Sequence, residues 1–252
     1  EVLTVDADET AETALAKNMP VSLAIYDDES GTGDITIIKA GVLQADGVPD
    51  NEDTIYQGTN WYYDSAKNQL VLNGASIRAV ICKGGDLSIL LSGENTLRGE
   101  IQFNVDGGSN TLEINGGNDN GSLIGKGEIT VGTGDDSTNN LKITGATTET
   151  VDIECNGDLT IEKSHIVACP DGNLSALSGN TVSITDSYVK AKSTEDIVNP
   201  ISSQNGITIS GSQILVETGK AFGEESVIQN VDSSNSVITK KWKDYETDAT
   251  VT

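Results

Sequence analysis

Apolar and polar residues alternate in short runs along most of the chain, and seven of these runs share one frame. They read LVLNGASI from Leu70, LSILLSGENTL from Leu87, LEINGGN from Leu112, LKITGATT from Leu141, LTIEKSHI from Leu159, VSITDSYV from Val182 and ITISGSQI from Ile207. The shared order is apolar, polar, apolar, polar, then Gly, Asp or Lys, then a small residue. The run at Leu87 carries two extra residues after Ile89. Alternation with period two, rich in Ile, Val and Thr, predicts a strand, and the Gly or Asp beside a small residue predicts a turn. The first apolar positions lie 17, 25, 29, 18, 23 and 25 residues apart. Self-similarity at a period of about 20 to 30 residues marks a solenoid.

Further apolar stretches at Ala79–Ile81, Ile101–Val105, Ile129–Val131, Val151–Ile153 and Val227–Ile228 predict a second strand in each coil. Two to three short strands in coils of uneven length fit a parallel β-helix. A leucine-rich horseshoe would need helical segments and a regular leucine frame. The expected fold is all-β, a single-stranded right-handed parallel β-helix over residues 59–240. An N-terminal β segment or cap is expected at 1–58 and a C-terminal tail or cap at 241–252. Equivalent residues of successive coils then stack about 4.8 Å apart, so seven coils make a rod roughly 30 Å long. Leu72, Ile89, Ile114, Ile143, Ile161, Ile184 and Ile209, the second apolar residue of each repeat, are expected to form one internal ladder.

The frame also places the histidine, which sits between two cysteines in CNGDLTIEKSHIVACPDGN. His165 takes the position of Ser76, Asn118, Thr147, Tyr188 and Gln213, a variable polar set that faces outward. Ser164 takes that of Ala75, Gly117, Ala146, Ser187 and Ser212, the small residue of the turn. Cys82 and Cys155 each precede a repeat strand and read as small buried residues. They lie three coils apart, about 14 Å, beyond the roughly 7 Å a disulfide spans, and Cys169 is likewise expected to be unpaired. No C-x-x-C pair occurs to hold structural zinc.

Charge narrows the partners. Lys and Arg number 15 against 39 Asp and Glu, a net charge of −24. Such a surface repels nucleic acid and anionic membranes. No apolar run approaches the roughly 20 residues of a membrane helix, so no membrane insertion is expected. The acidic opening EVLTVDADET lacks the pattern of a signal peptide and reads as the start of a mature or trimmed chain.

The stretch TNWYYDSAKNQLVLNGASI, with GVLQADGVPDNEDTIYQGT before it and GDLSILLSGENTL after it, resembles secreted or cell-surface parallel β-helix proteins of Gram-positive gut bacteria labelled carbohydrate-binding-domain-containing. Trp61, Tyr63, Asp64, Leu70, Leu72 and Gly74 match their W-x-Y-D, turn, L-x-L-x-G form, and the likeness covers roughly residues 40–215. More distantly the chain is similar to calcium-dependent pectin-binding and pectate-lyase-like β-helices. The resemblance implies an extracellular or cell-surface right-handed β-helix, with a polysaccharide or host glycan as partner.

Three kinds of chemistry bear on the candidate site residues. Sugar platforms need exposed rings, which makes Tyr188, Trp61 and Tyr62 the candidate ligand-binding residues. Rings near the ends of a solenoid also serve to cover its core. Calcium is the candidate cofactor, with Asp106, Asp119, Asp135 and Asp136 as ligands in the loops DGGSN, GGNDNGS and GTGDDSTNN, which offer the oxygens calcium takes. The EF-hand spacing is missing, and the same residues equally make plain turns. A lyase would need an Arg or Lys base beside carboxylates, and both arginines, Arg78 and Arg98, lie one coil apart near Asp86, Glu94 and Glu100. Paired acids could also serve glycoside hydrolysis, but no cluster stands out in so acidic a chain. The expected protein is therefore a monomeric, non-catalytic binding or adhesion protein for a polysaccharide or host glycan. The alternatives are a calcium-dependent polysaccharide lyase or glycoside hydrolase, and a structural spacer.

Overall fold

The computed structural model describes residues 60–64, 67–82, 85–103, 109–132, 138–170, 174–193, 199–218 and 232–239, with the backbone of 23–27, 34–38, 55–58, 231, 240–244 and 249–251. All seven predicted repeat strands stand side by side in one sheet, called here the first sheet. They are Gln69–Asn73, Leu87–Ser92, Ser109–Asn115, Thr138–Thr144, Leu159–Glu162, Val182–Thr185 and Ile207–Ser210, followed by Val231–Ser234, all parallel. The chain is a parallel β-helix, and its core runs along the inside of this ladder.

The internal column is Leu70, Ile89, Ile114, Ile143, Ile161, Ile184 and Ile209, each fully buried. The first member differs from expectation, since Leu70 stacks on Ile89 while Leu72 stacks on Leu91. The glycines decide this register. Gly74 and Gly93 both turn the chain at the end of their strands, and the Gly74 N–H donates to the Ser92 carbonyl at 3.2 Å. The two extra residues after Ile89 lengthen the second strand instead of forming a loop. A slip of two residues keeps every side chain on its own face, so Leu72 remains buried.

Each strand of the first sheet ends in a sharp corner. Gly74, Gly93, Gly145 and Gly211 there have φ of +68°, +63°, +61° and +61°, and Lys163, Asp186 and Asn235 take the same left-handed conformation at φ of +49°, +48° and +47°. Exposed Glu94 follows Gly93 and half-buried Ser236 follows Asn235; elsewhere the small residue that follows, Ala75, Ala146, Ser164, Ser187 or Ser212, is buried because the next coil passes directly over it. From Ala146 onward it builds a chain of hydrogen bonds along the rod. The N–H of Ala146, Ser164, Ser187 and Ser212 donates to the hydroxyl of Ser164, Ser187, Ser212 and Ser236 respectively, at 3.1–3.3 Å. Each of these hydroxyls donates in turn to a carbonyl two residues back in its own coil. Side-chain groups thus satisfy the backbone that the corner leaves without a ladder partner.

The second sheet branches. Ser76–Cys82 pairs with Glu94–Phe103, and its register slips between Ile77 and Ala79. Glu94–Phe103 is ten residues long and carries two neighbours on its far side. Its first half pairs with Ser122–Gly125 and its second with Glu128–Val131. From there two parallel ladders continue separately. One runs through Thr147–Thr150, His165–Ala168, Tyr188–Ser193, Gln213–Thr218 and Val237–Asp244, the other through Ile153–Cys155, Leu177–Gly179 and Ile201–Ser203. The coil begins with two faces and acquires a third. Of the predicted second strands, 79–81, 101–103, 129–131 and Ile153 fall on strands, whereas Val151 and Asp152 form a corner. Residues 104, 105, 227 and 228 lie outside the described residues.

At the N-terminal end Ile55–Gly58, Trp61–Asp64 and Gln69–Asn73 form an antiparallel meander that opens the first sheet. Trp61 and Tyr63 are buried there against the core. Leu23–Asp27 pairs antiparallel with Asp34–Ile38, which lies parallel to Ser76–Cys82. At the other end Val237–Asp244 runs across the expected boundary at 240 and pairs antiparallel with Ala249–Val251. Among the described residues no helix is long and apolar enough to cross a membrane.

Candidate functional site

The branch point gathers the arginines. Ile77, Leu97 and Gly125 are in register across three successive coils, and so are Ala79, Glu100 and Glu128. The residues between those two rows therefore stack as well. They are Arg78 in the first coil, Arg98 and Gly99 in the second, and Lys126 and Gly127 in the third. Arg78, Arg98 and Lys126 form an exposed column of three cations along one corner, flanked by Glu100 and Glu128. The groups line an open cleft of about 310 Å³.

Glycine makes the close stacking feasible. A Cβ on Gly99 would lie 2.8 Å from the Arg78 carbonyl oxygen, and one on Gly127 would overlap the Leu97 side chain. Bulk is thus removed from the corner wall while long cationic side chains remain at its rim. Among the described residues neither Arg98 nor Lys126 forms an ion pair within 4.0 Å, although Glu100 and Glu128 stand two positions further along the chain. Repulsion between Arg98 and Lys126 is moderated by the two nearby carboxylates.

The acidic row continues one coil further. Glu100, Glu128 and Asp152 precede the stacked Ile101, Ile129 and Ile153. The corner of that coil is Val151 instead of a cation, and Asp152 is 8% exposed. Burial, reinforced by Glu128 and then Glu154, pushes its carboxyl up to about 6.

Of the residues singled out around the arginines, Glu100 joins them in the cleft, while Asp86 and Glu94 do not. Asp86 accepts the Thr111 N–H at 2.8 Å and lines a separate cleft of about 300 Å³ with Lys67, Ser88 and Glu113. Glu94 opens its strand at the corner of the first sheet. Lys126 and Glu128 were not anticipated. Their signal was present in the sequence, because Arg98-Gly99-Glu100-Ile101 recurs as Lys126-Gly127-Glu128-Ile129.

The aromatic candidates are dispersed. Trp61 is 5% exposed, so its ring faces the core, whereas the adjacent Tyr62 is 41% exposed. Tyr188 is half-buried on the outer face of the ladder that runs from Thr147–Thr150 to Val237–Asp244, called here the middle ladder, with its ring 4.6 Å from that of His165 in an edge-on contact. His165 is exposed and shares its row with Thr147, Tyr188 and Gln213, as expected, whereas Ser76 pairs with Thr96 outside that row. Ser122, not Asn118, occupies the equivalent place in the Thr147 ladder. Asn118 and Gly117 belong to a 3₁₀ turn, Gly117–Asp119, inserted at that corner.

Asp119 is exposed on the same turn, and Asp106, Asp135 and Asp136 lie outside the described residues. Among the described residues no group of three or more His, Cys, Asp or Glu side chains is placed to hold a metal ion. Cys82, Cys155 and Cys169 take part in no disulfide, as expected. Cys82 and Cys155 share an inward column with Phe103 and Val131 between them, and burial pushes the Cys155 thiol up to about 11. That thiol donates to the Asn139 carbonyl at 3.1 Å and serves as a core group. Comparison of the chain with protein-family models, with curated proteins and with solved structures gives no match.

Proposed function

We propose that this chain is a non-catalytic extracellular or cell-surface binding protein, monomeric, that holds a polysaccharide or host glycan at the corner formed by Arg78, Arg98 and Lys126. The observation that carries this reading is the cleft of about 310 Å³ at that corner, with polar groups supplied by three consecutive coils. That volume lies at the lower end of small-ligand sites, about 300–1,000 Å³, and suits a single sugar unit of a longer chain. Rungs about 4.8 Å apart present a repeated set of donors and acceptors to such a chain. An open, exposed wall also suits binding better than chemistry, which gains from a site that excludes water.

Affinity electrophoresis through gels containing neutral, sulfated or uronate polysaccharides tests the proposal, with reducing ends and unsaturated products assayed in parallel. Retardation by at least one polysaccharide, with no product released, is the expected result. Product release would replace this reading with the lyase or hydrolase alternative. Migration unaffected by every polysaccharide would leave the spacer.

A further inference from the structure

Resting on that reading, we infer that the glycan is recognised through a tetrahedral ester oxyanion, a sulfate or phosphate monoester on a sugar, held between Arg98 and Lys126 with Arg78 beside them. The first support is the distribution of charge. The chain has only two arginines among 15 cations, against 39 acids, and both arginines stand in this cleft with a lysine. At physiological salt the Debye length is about 8 Å. A ligand at the corner therefore feels the three cations and their two flanking carboxylates more than the distant acids, which otherwise repel anions. The corner is a cationic island on an acidic rod.

The second support is the count of donors. Guanidinium groups present a planar fork of N–H donors, and an ammonium presents three more. A carboxylate offers two oxygens on one plane, whereas a sulfate or phosphate monoester offers three terminal oxygens on one tetrahedral centre. Cations stacked on successive rungs of one cleft can each reach a different terminal oxygen, which matches the tetrahedral group. Glu100 and Glu128 are then placed to accept hydrogen bonds from the hydroxyls of the sugar that carries the ester.

The test compares dextran sulfate, unmodified dextran and polygalacturonate at about 0.15 M salt, using the full chain and its Arg98→Gln, Lys126→Gln and Lys142→Gln variants. Lys142 lies on the outer face of the first sheet, so its variant removes the same charge away from the cleft. Dextran sulfate is expected to bind, with dextran and polygalacturonate at least tenfold weaker. Arg98→Gln and Lys126→Gln should each weaken it about tenfold, the usual scale for a lost charged hydrogen bond, while Lys142→Gln leaves it unchanged. Unaltered melting temperatures of the variants exclude unfolding as the cause. Competition by glucose 6-sulfate against glucose 6-phosphate then distinguishes the two esters. Equal binding of dextran and dextran sulfate would overturn the inference while leaving glycan binding intact. Polygalacturonate binding as tightly as dextran sulfate would overturn the tetrahedral ester, and insensitivity to Arg98→Gln and Lys126→Gln would overturn the site.

Discussion

At the scale of single residues, the corners show how backbone strain and side-chain chemistry share one task. Gly145 and Lys163 occupy equivalent corner positions in consecutive coils, joined by the Gly145 N–H donating to the Glu162 carbonyl at 3.0 Å. Both are left-handed, and a Cβ at Gly145 would meet nothing within 4 Å. Sterics with neighbours therefore cannot decide the outcome there, and only the intrinsic conformational cost remains. Gly145→Ala should destabilise the protein by about 1 kcal/mol. Lys163→Gly should be neutral or stabilising by up to about 1 kcal/mol, because relief of the left-handed strain exceeds the added chain entropy. Urea unfolding of both variants checks this, and the opposite order of stability would contradict the account of the corners.

At the scale of elements, what the sequence disclosed depended on how strictly a strand alternates. The first sheet was legible because its repeat strands from Leu112 to Ile209 place Leu, Ile or Val inward with polar residues between. The middle ladder was not. Its strands are often four residues long, and Thr147–Thr150 turns Thr148 and Thr150 into the core, which hides the alternation. In the cleft, Arg78, Arg98 and Glu100 were legible as neighbours one coil apart, whereas Lys126 and Glu128 escaped until the register stacked K-G-E-I on R-G-E-I. Asp152 could not be picked out among 39 acids, because its distinction is burial alone. In the folded chain its carboxyl is raised from the ordinary 3.8 to about 6, so folding binds its proton more tightly than the unfolded chain does. The resulting stability is fully present below about pH 4 and is lost as pH rises through 6. The carboxylate keeps partial access to water, which limits the loss to about 1–2 kcal/mol. Asp152→Asn should therefore raise stability by that amount at pH 8 and leave it little changed at pH 4. Thermal melts across this range decide the matter, and an Asp152→Asn profile parallel to that of the parent would contradict the assignment.

At the scale of the whole molecule, the proposed anionic ligand has to be held against the field of a rod with a net charge of −24. A local group of cations does so only if the coils stack them in one place, and here the branching of the second sheet supplies that place. The slip between Ile77 and Ala79 and the glycines at 99, 125 and 127 all fall at this branch. The same feature that turns a two-faced coil into a three-faced one therefore builds the cationic cleft. The most direct measurement uses the scarcity of arginine. With Arg78 and Arg98 the only two in the chain, a proton–nitrogen NMR spectrum of the guanidinium Nε–H groups holds two signals, and Arg98→Gln identifies them by removing one. Titration with a dextran sulfate oligosaccharide should shift both signals, with the same apparent affinity as the backbone amides around Lys126. Backbone shifts that report binding while both arginine signals stay in place would contradict the central claim.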